Sequence, residues 1–211
     1  MTTNLNLIRA ALTVLAAIFN HRFSFWFLLA IPSIPLLADF IYEQRYYAEM
    51  MYDSGVWSVQ WLLLSLLITP LSYWASSRPD WLPLARWWIR RRRYIGVACF
   101  AYALINMVVY LRNVAEWETI LAQAGEWEYL LGWVGFVILL LLTATSNDAS
   151  VRALQTRWKY LHRFSYMAVL LIGLHWLMFG IFLNLLCFFA ACFALLLAFR
   201  LVSAAASQNR V

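Results

Sequence analysis

Residues 157–180 read Arg157-Trp158-Lys159-Tyr160-Leu161-His162-Arg163-Phe164-Ser165-Tyr166, then Met-Ala-Val-Leu-Leu-Ile-Gly-Leu, then His175-Trp176-Leu177-Met178-Phe179-Gly180. From Leu161 onward the stretch is apolar over a length that suits a membrane span. It nevertheless holds two of the three histidines of the chain, His162 and His175. An ionisable side chain at membrane depth is costly and marks a functional site by default. His175 follows His162 by thirteen positions, about 20 Å along a helix at roughly 1.5 Å per residue. That covers much of a hydrocarbon core about 30 Å thick, so two stacked cofactor levels are the expectation. Thirteen steps also turn a helix by about 1300°, leaving the rings roughly 140° apart. Either a distortion near Gly173 corrects the phase, or the two rings serve different clefts.

The rest of the chain has the same character. Of 211 residues, 64% are hydrophobic and 12% charged, against about a quarter charged in soluble domains. The long apolar runs predict an all-α membrane protein, a bundle of six transmembrane helices at about Phe23–Tyr42, Val56–Trp74, Tyr94–Leu111, Tyr129–Ser146, Leu161–Gly180 and Phe182–Val202. Pro32 and Pro35 are expected to kink the first span, and Pro70 the second. Residues 1–22 form a surface segment whose short helix, Asn4–Phe19, is too short to span comfortably. Residues 23–202 form the membrane domain and 203–211 a tail. With only Arg9 as charge before a further apolar run, Met1–Asn20 does not read as a cleavable signal peptide. Cys99, Cys187 and Cys192 lie in apolar segments and read as packing residues. No Cys-x-x-Cys-His motif is present, which excludes covalent c-type haem.

Arginine predicts the topology. The connection between spans two and three carries Arg78, Arg86 and Arg90 to Arg93 against Asp80 alone. The one between spans four and five carries Arg152, Arg157, Lys159 and Arg163 against Asp148. On the other side, Arg45 stands with Glu43, Glu49 and Asp53, and Arg112 with Glu116, Glu118, Glu126 and Glu128. By the positive-inside rule both termini and the two basic connections are cytoplasmic. The net charge of +6 thus argues for membrane topology and membrane lipid, with no nucleic-acid partner; the arginine run is a topogenic signal that would also suit anionic headgroups. Trp57, Trp74, Trp81, Trp87, Trp88, Trp127 and Trp158 fall near span ends, as interfacial belts do.

In this topology His175 lies in the outer half of span five, and Asn106 of span three is at about the same depth. Several stretches together resemble the six-span ferric-reductase-like transmembrane domain, and within it the haem-binding membrane subunits of periplasmic methionine sulfoxide reductase systems, the MsrQ type. They are Leu66-Leu67-Ile68-Thr69-Pro70-Leu71, Arg92-Arg93-x-x-Gly96-x-x-Cys99-Phe100-Ala101, Thr145-Ser146, and above all Arg157-Trp158-x-x-Leu161-His162-x-Phe164-x-Tyr166 followed by His175. The resemblance runs from about Val56 to Val202. It implies one or two b-type haems in a bacterial inner membrane protein that passes electrons from a quinol or a cytoplasmic flavin (FMN) donor to a periplasmic molybdopterin reductase. By position, His162 and His175 match the two span-five haem ligands, and Arg92 a basic residue at the inner end of span three.

Asn106 stands where the family has its span-three histidine. A carboxamide is a poor iron donor beside imidazole, and buried Asn more commonly bonds across helices. Met107 is next in sequence, but a one-residue step turns the side chain by about 100°, which argues against simple replacement. The outer level is then five-coordinate, takes water, recruits another side chain, or is empty. Two functions follow: an electron-transfer subunit with at least one haem b, or a haem-depleted relative serving as a structural or assembly subunit of a larger membrane complex. His21 beside Arg22 reads as an interface residue. Gln60 and Asp39 read equally as quinone or subunit contacts and as packing residues. Nothing in the sequence resembles a nucleophilic triad, a zinc site or a phosphate loop.

Overall fold

The computed structural model of the protein describes residues 21–43, 45–76, 79–180 and 194. Helix α1 (Arg22–Ala30) is followed by α2 (Ser33–Tyr42), α3 (Tyr47–Ser76), a 3-10 turn (Pro79–Trp81), α4 (Leu82–Val114), α5 (Trp117–Ala124), α6 (Trp127–Ala144), α7 (Asp148–Leu154), α8 (Thr156–His162) and α9 (Phe164–Met178). Among the described residues there is no strand. Four helical stretches are long and apolar enough to cross a membrane, Tyr47–Tyr73, Leu82–Val114, Trp127–Ala144 and Thr156–Met178. Counting the bent α1–α2 pair as one gives five. The chain is a multi-pass helical membrane protein. The sixth expected span, the short N-terminal helix and the tail lie outside the described residues.

The expected kink in the first span is a break of 54° between α1 and α2, set by Pro32 and Pro35, which lack the N–H a continuous helix needs. The fifth span is interrupted at Arg163, between α8 and α9, where Arg163 N–H bonds the Tyr160 carbonyl and Tyr166 N–H the Arg163 carbonyl. These three-residue steps locally tighten the helix. Gly173, where the phase problem suggested a distortion, lies inside regular helix. A left-handed Gly180, φ 64°, follows Phe179 at the end of α9, a common helix stop.

Two spans begin earlier than their apolar runs. α3 starts at Tyr47 instead of Val56, and α4 at Leu82 instead of Tyr94. Arg86 and Arg90 to Arg93, expected in a connection, therefore sit in the early turns of α4. Hydropathy reports the span and not the helix; arginine propagates helix well, so α4 continues beyond the apolar segment.

Helices α3 and α4 run antiparallel and are joined by a polar ladder. Asn106 Nδ2 donates to Ser54 Oγ at 3.1 Å, Ser58 Oγ to the Cys99 carbonyl at 3.0 Å, Arg92 Nε to the Ser65 carbonyl at 2.9 Å, and Ser72 Oγ to the Ala85 carbonyl at 3.4 Å. All four serines are buried. Where lipid supplies no hydrophobic drive between helices, such bonds and close packing of small residues supply the association, at about 0.6 kcal/mol each. α6 and α9 form the second antiparallel pair through glycines. A Cβ on Gly135 would come within 3.0 Å of Ile172 Cγ1, and one on Gly132 within 2.8 Å of His175 Cε1. The two pairs meet in a core of Leu62, Leu66, Cys99, Leu139, Ala168 and Trp176. Phe27, Leu140, Leu141, Leu170 and Leu174 face outward, as lipid-facing residues do.

Candidate functional site

A cavity of about 460 Å³ opens between α3, α4, α5, α6 and α9 at the acidic end of the bundle. That volume lies within the range of about 300–1,000 Å³ usual for cofactor and ligand sites. His175, Trp176, Trp133, Phe136, Asn106 and Met107 are among its walls. Across its upper part Tyr110 donates from α4 to Gln123 Oε1 of α5 at 2.9 Å.

His175 is seated by α6. Its Nδ1 lies 2.6 Å from the carbonyl oxygen of Glu128, one turn before Gly132. A carbonyl only accepts, so Nδ1 carries the proton and the neutral ring keeps its lone pair on Nε2. A backbone carbonyl on the far nitrogen is the arrangement that fixes a metal-ligating imidazole in place. Gly132 makes the seat possible, since a Cβ there would fall 2.9 Å from Nδ1 and 3.4 Å from Nε2. Phe179 closes the edge of the ring at 5.0 Å, in a T-shaped contact.

Asn106 shares the cavity but is turned toward α3. Its Nδ2 donates to the Met51 carbonyl at 2.5 Å and to Ser54 Oγ. Gly55 permits this close approach: a Cβ there would stand 3.4 Å from Asn106 Nδ2 and 3.3 Å from Trp176 Cζ2.

The inner level is separate. His162 is absent from the walls of this cavity. Its ring stacks on Trp158 at 3.8 Å. Nδ1 lies 3.2 Å from the Trp158 carbonyl and Nε2 3.3 Å from Ser146 Oγ. The serine hydroxyl has one proton and donates it over 2.6 Å to the Leu142 carbonyl, so toward His162 it can only accept; both ring nitrogens face acceptors, and a neutral imidazole serves one of them. Trp158 is itself anchored, with Nε1 donating to the Thr145 carbonyl at 2.9 Å. Arg92 reaches back to Ser65, while Arg93 pairs with Asp148 at 2.6 Å. Among the described residues no three His, Cys, Asp or Glu side chains gather as a metal cluster. Each histidine stands as a single donor at its own level.

Of the other polar candidates, Asp39 belongs to an ion cluster around Arg45, which also reaches Glu49 and Asp53 at 3.4, 3.1 and 2.9 Å respectively. Gln60 is exposed on α3, and His21 is exposed with its ring 5.4 Å from Phe23. Two features around His175 escaped the sequence reading, Gly132 and the Glu128 carbonyl, and Met107, set aside there as a replacement ligand, stands on the cavity wall. The helical step from His175 to an opposing glycine cannot be read without knowing which helix faces which.

Comparison with known proteins follows the same outline. Residues 54–173 match the family described as ferric reductase like transmembrane component. The protein-methionine-sulfoxide reductase heme-binding subunit MsrQ of Enterobacter sp. (strain 638) is 35% identical over 136 residues, 61% of this chain and 63% of that protein. The subunit of the same description from Klebsiella pneumoniae (strain 342) is 34% identical over 136 residues, with the same shares. The alignment thus spans less than two thirds of either relative. No solved structure matches the chain.

Proposed function

The chain belongs to the ferric reductase like transmembrane component family, and on that premise we propose that it is a haem b subunit for electron transfer across the bacterial inner membrane. Electrons enter from a quinol or an FMN-bearing donor and leave to a partner reductase of the periplasmic molybdopterin type; the relatives' description as heme-binding subunits of a methionine sulfoxide reductase supports the haem and a reductase partner. The bundle has six spans, with Phe182–Val202 as the sixth, residues 1–22 at the membrane surface and residues 203–211 as a cytoplasmic tail. Both termini face the cytoplasm.

The observation that carries the reading is the seat of His175. Its residues fit a haem: a glycine cradle that a Cβ would fill, an imidazole with its proton committed to Glu128, and apolar walls of Trp133, Phe136 and Trp176. His175 would hold the haem from α9 through Nε2, with its tautomer and ring orientation fixed by the Glu128 carbonyl. The aromatic walls exclude water and lower the local dielectric, which is one of the protein's controls on redox potential. Asn106 secures α4 against α3 beside the site. His162 marks the inner level, with Arg92 supplying positive charge for an anionic group of a cofactor or donor. When bound, haem b supplies the one-electron chemistry.

The test is the purified full chain in mild detergent after expression with ample haem supply. A reduced-minus-oxidised spectrum and a pyridine haemochrome assay are expected to give a b-type signal that falls sharply in His175→Ala. Protein that folds but holds no haem would sink the proposal and favour the structural-subunit reading that Asn106 motivates.

A further inference from the structure

We propose that Met107 is the second axial ligand opposite His175, so that the outer haem of this chain is held by an imidazole and a thioether. The inference rests on the haem-binding reading above.

The argument begins with the faces of α4. Phe100 packs on Phe136 of α6 at 5.4 Å, and Tyr110 packs on Tyr129 and Trp133 of α6 at 5.8 and 6.3 Å. Positions three or four apart share one helical face, so Phe100, Ala103, Met107 and Tyr110 form a stripe directed at α6. Ala103, Met107 and Tyr110 line the cavity. That same helix α6 carries Gly132, on which the His175 ring is seated. Asn106, one step back, points its amide to the Met51 carbonyl and Ser54 on α3. The turn of about 100° between neighbours, which on sequence argued against Met107, is what brings it to the α6 side once Asn106 is bonded to α3.

The chemistry agrees. A thioether is a soft, neutral donor that iron accepts without deprotonation, and it suits a site walled by aromatic rings. Met with His as the axial pair raises the haem potential above that of two imidazoles. Ala103 on the preceding turn leaves room that a larger side chain would fill. As a mere gap-filler, Met107 would be interchangeable with leucine at little cost, and this sets the experiment.

The full chain, haem-loaded and in detergent, is compared with Met107→Leu, Met107→His and Asn106→Leu by ferric absorption spectroscopy, redox titration and carbon monoxide addition to the ferrous form. The expected result is a far-red thioether-to-iron charge-transfer band in the wild type. Met107→Leu loses that band, titrates at lower potential and gains carbon monoxide binding, while Asn106→Leu keeps the band. Met107→His becomes low-spin with two imidazoles, which shows that the position reaches the iron even if the leucine variant folds poorly. Haem present by haemochrome, with no such band in the wild type or with the band unchanged in Met107→Leu, overturns Met107 as ligand and leaves haem binding standing. No haem in the wild type overturns both.

Discussion

The Nδ1 atom of His175 donates to the carbonyl oxygen of Glu128 at 2.6 Å, which ties the deepest histidine of the chain to the first turn of a neighbouring helix. The contact exists because Gly132, one turn on, has no side chain. Gly132→Ala would place a Cβ 2.8 Å from the ring, closer than atoms of this kind approach, so the imidazole has to leave its seat. The substitution is expected to cost about 1–3 kcal/mol from overpacking and to weaken haem retention by about 10–100-fold, as loss of a ligand's supporting shell does. Gly173→Ala is the control, since its Cβ meets nothing within 4 Å and removal of a helix-interior glycine is neutral to mildly stabilising. Thermal unfolding in detergent and the haem-to-protein ratio check both. Equal haem content in the two variants would refute the seat.

Asn106 separates ligand from strut. If its amide serves α3 and not iron, Asn106→Leu removes the donor to Met51 and Ser54 and lowers stability by about 0.6–1.7 kcal/mol, the range for interhelical hydrogen bonds in membranes. The haem spectrum should not move. A spectral change on Asn106→Leu at unchanged stability would reverse the assignment.

How far these sites could be read from sequence depends on what each one needs. His162, His175 and the displaced Asn106 were visible because polar groups are rare in an apolar run. The bend at Pro32 was visible because proline removes a backbone donor. The serine ladder of Ser54, Ser58, Ser65 and Ser72 was not, since a serine on a span gives no sign of which helix it faces. The start of α4 was misplaced because hydropathy ends where arginines begin while the helix continues. Gly132 and Met107 became interpretable only after α6 was seen against α9 and α4. The break at Arg163 likewise needed backbone geometry, because nothing in Leu161 to Phe164 breaks a helix by composition.

At the basic end, Arg93 donates to Asp148 at 2.6 Å, tying α4 to the start of α7. The guanidinium holds the Asp148 carboxyl below its ordinary range, which lies near about 4. A depressed carboxylate contributes stability that is fully present above its unfolded pKa and is lost as pH falls through the folded one. The tether is therefore complete at pH 7 and is released only as pH falls below the ordinary carboxylate range. Because the pair is exposed, its effect is local and falls with salt. Hydrogen-exchange protection over residues 145–155, taken relative to the intrinsic rate at each pH, is expected to fall in Asp148→Asn at pH 7 and in the wild type at low pH. Exchange in Asp148→Asn that matches the wild type at pH 7 would remove this role.

The four arginines from Arg90 to Arg93 are equal as a topogenic signal and unequal in the fold. Arg90 is exposed, Arg92 bonds the Ser65 carbonyl and Arg93 pairs with Asp148. Arg91 is 7% exposed, with its guanidinium 5.2 Å from the Phe25 ring, 5.5 Å from Tyr94 and 5.9 Å from Trp87. This aromatic box joins α1 to α4, and cation–π contacts reach about 2 kcal/mol when desolvated. Arg91→Met keeps the stem and removes the charge, so it should cost about 1–2 kcal/mol, whereas Arg90→Met should stay within about 0.5 kcal/mol of the wild type. One positive charge is lost in each, so a purely topogenic run predicts the same result for both. Chemical-denaturant unfolding of the two variants decides the matter, with cysteine accessibility of the termini measured alongside to confirm that orientation has not changed. Matching stabilities would return Arg91 to the topogenic role alone.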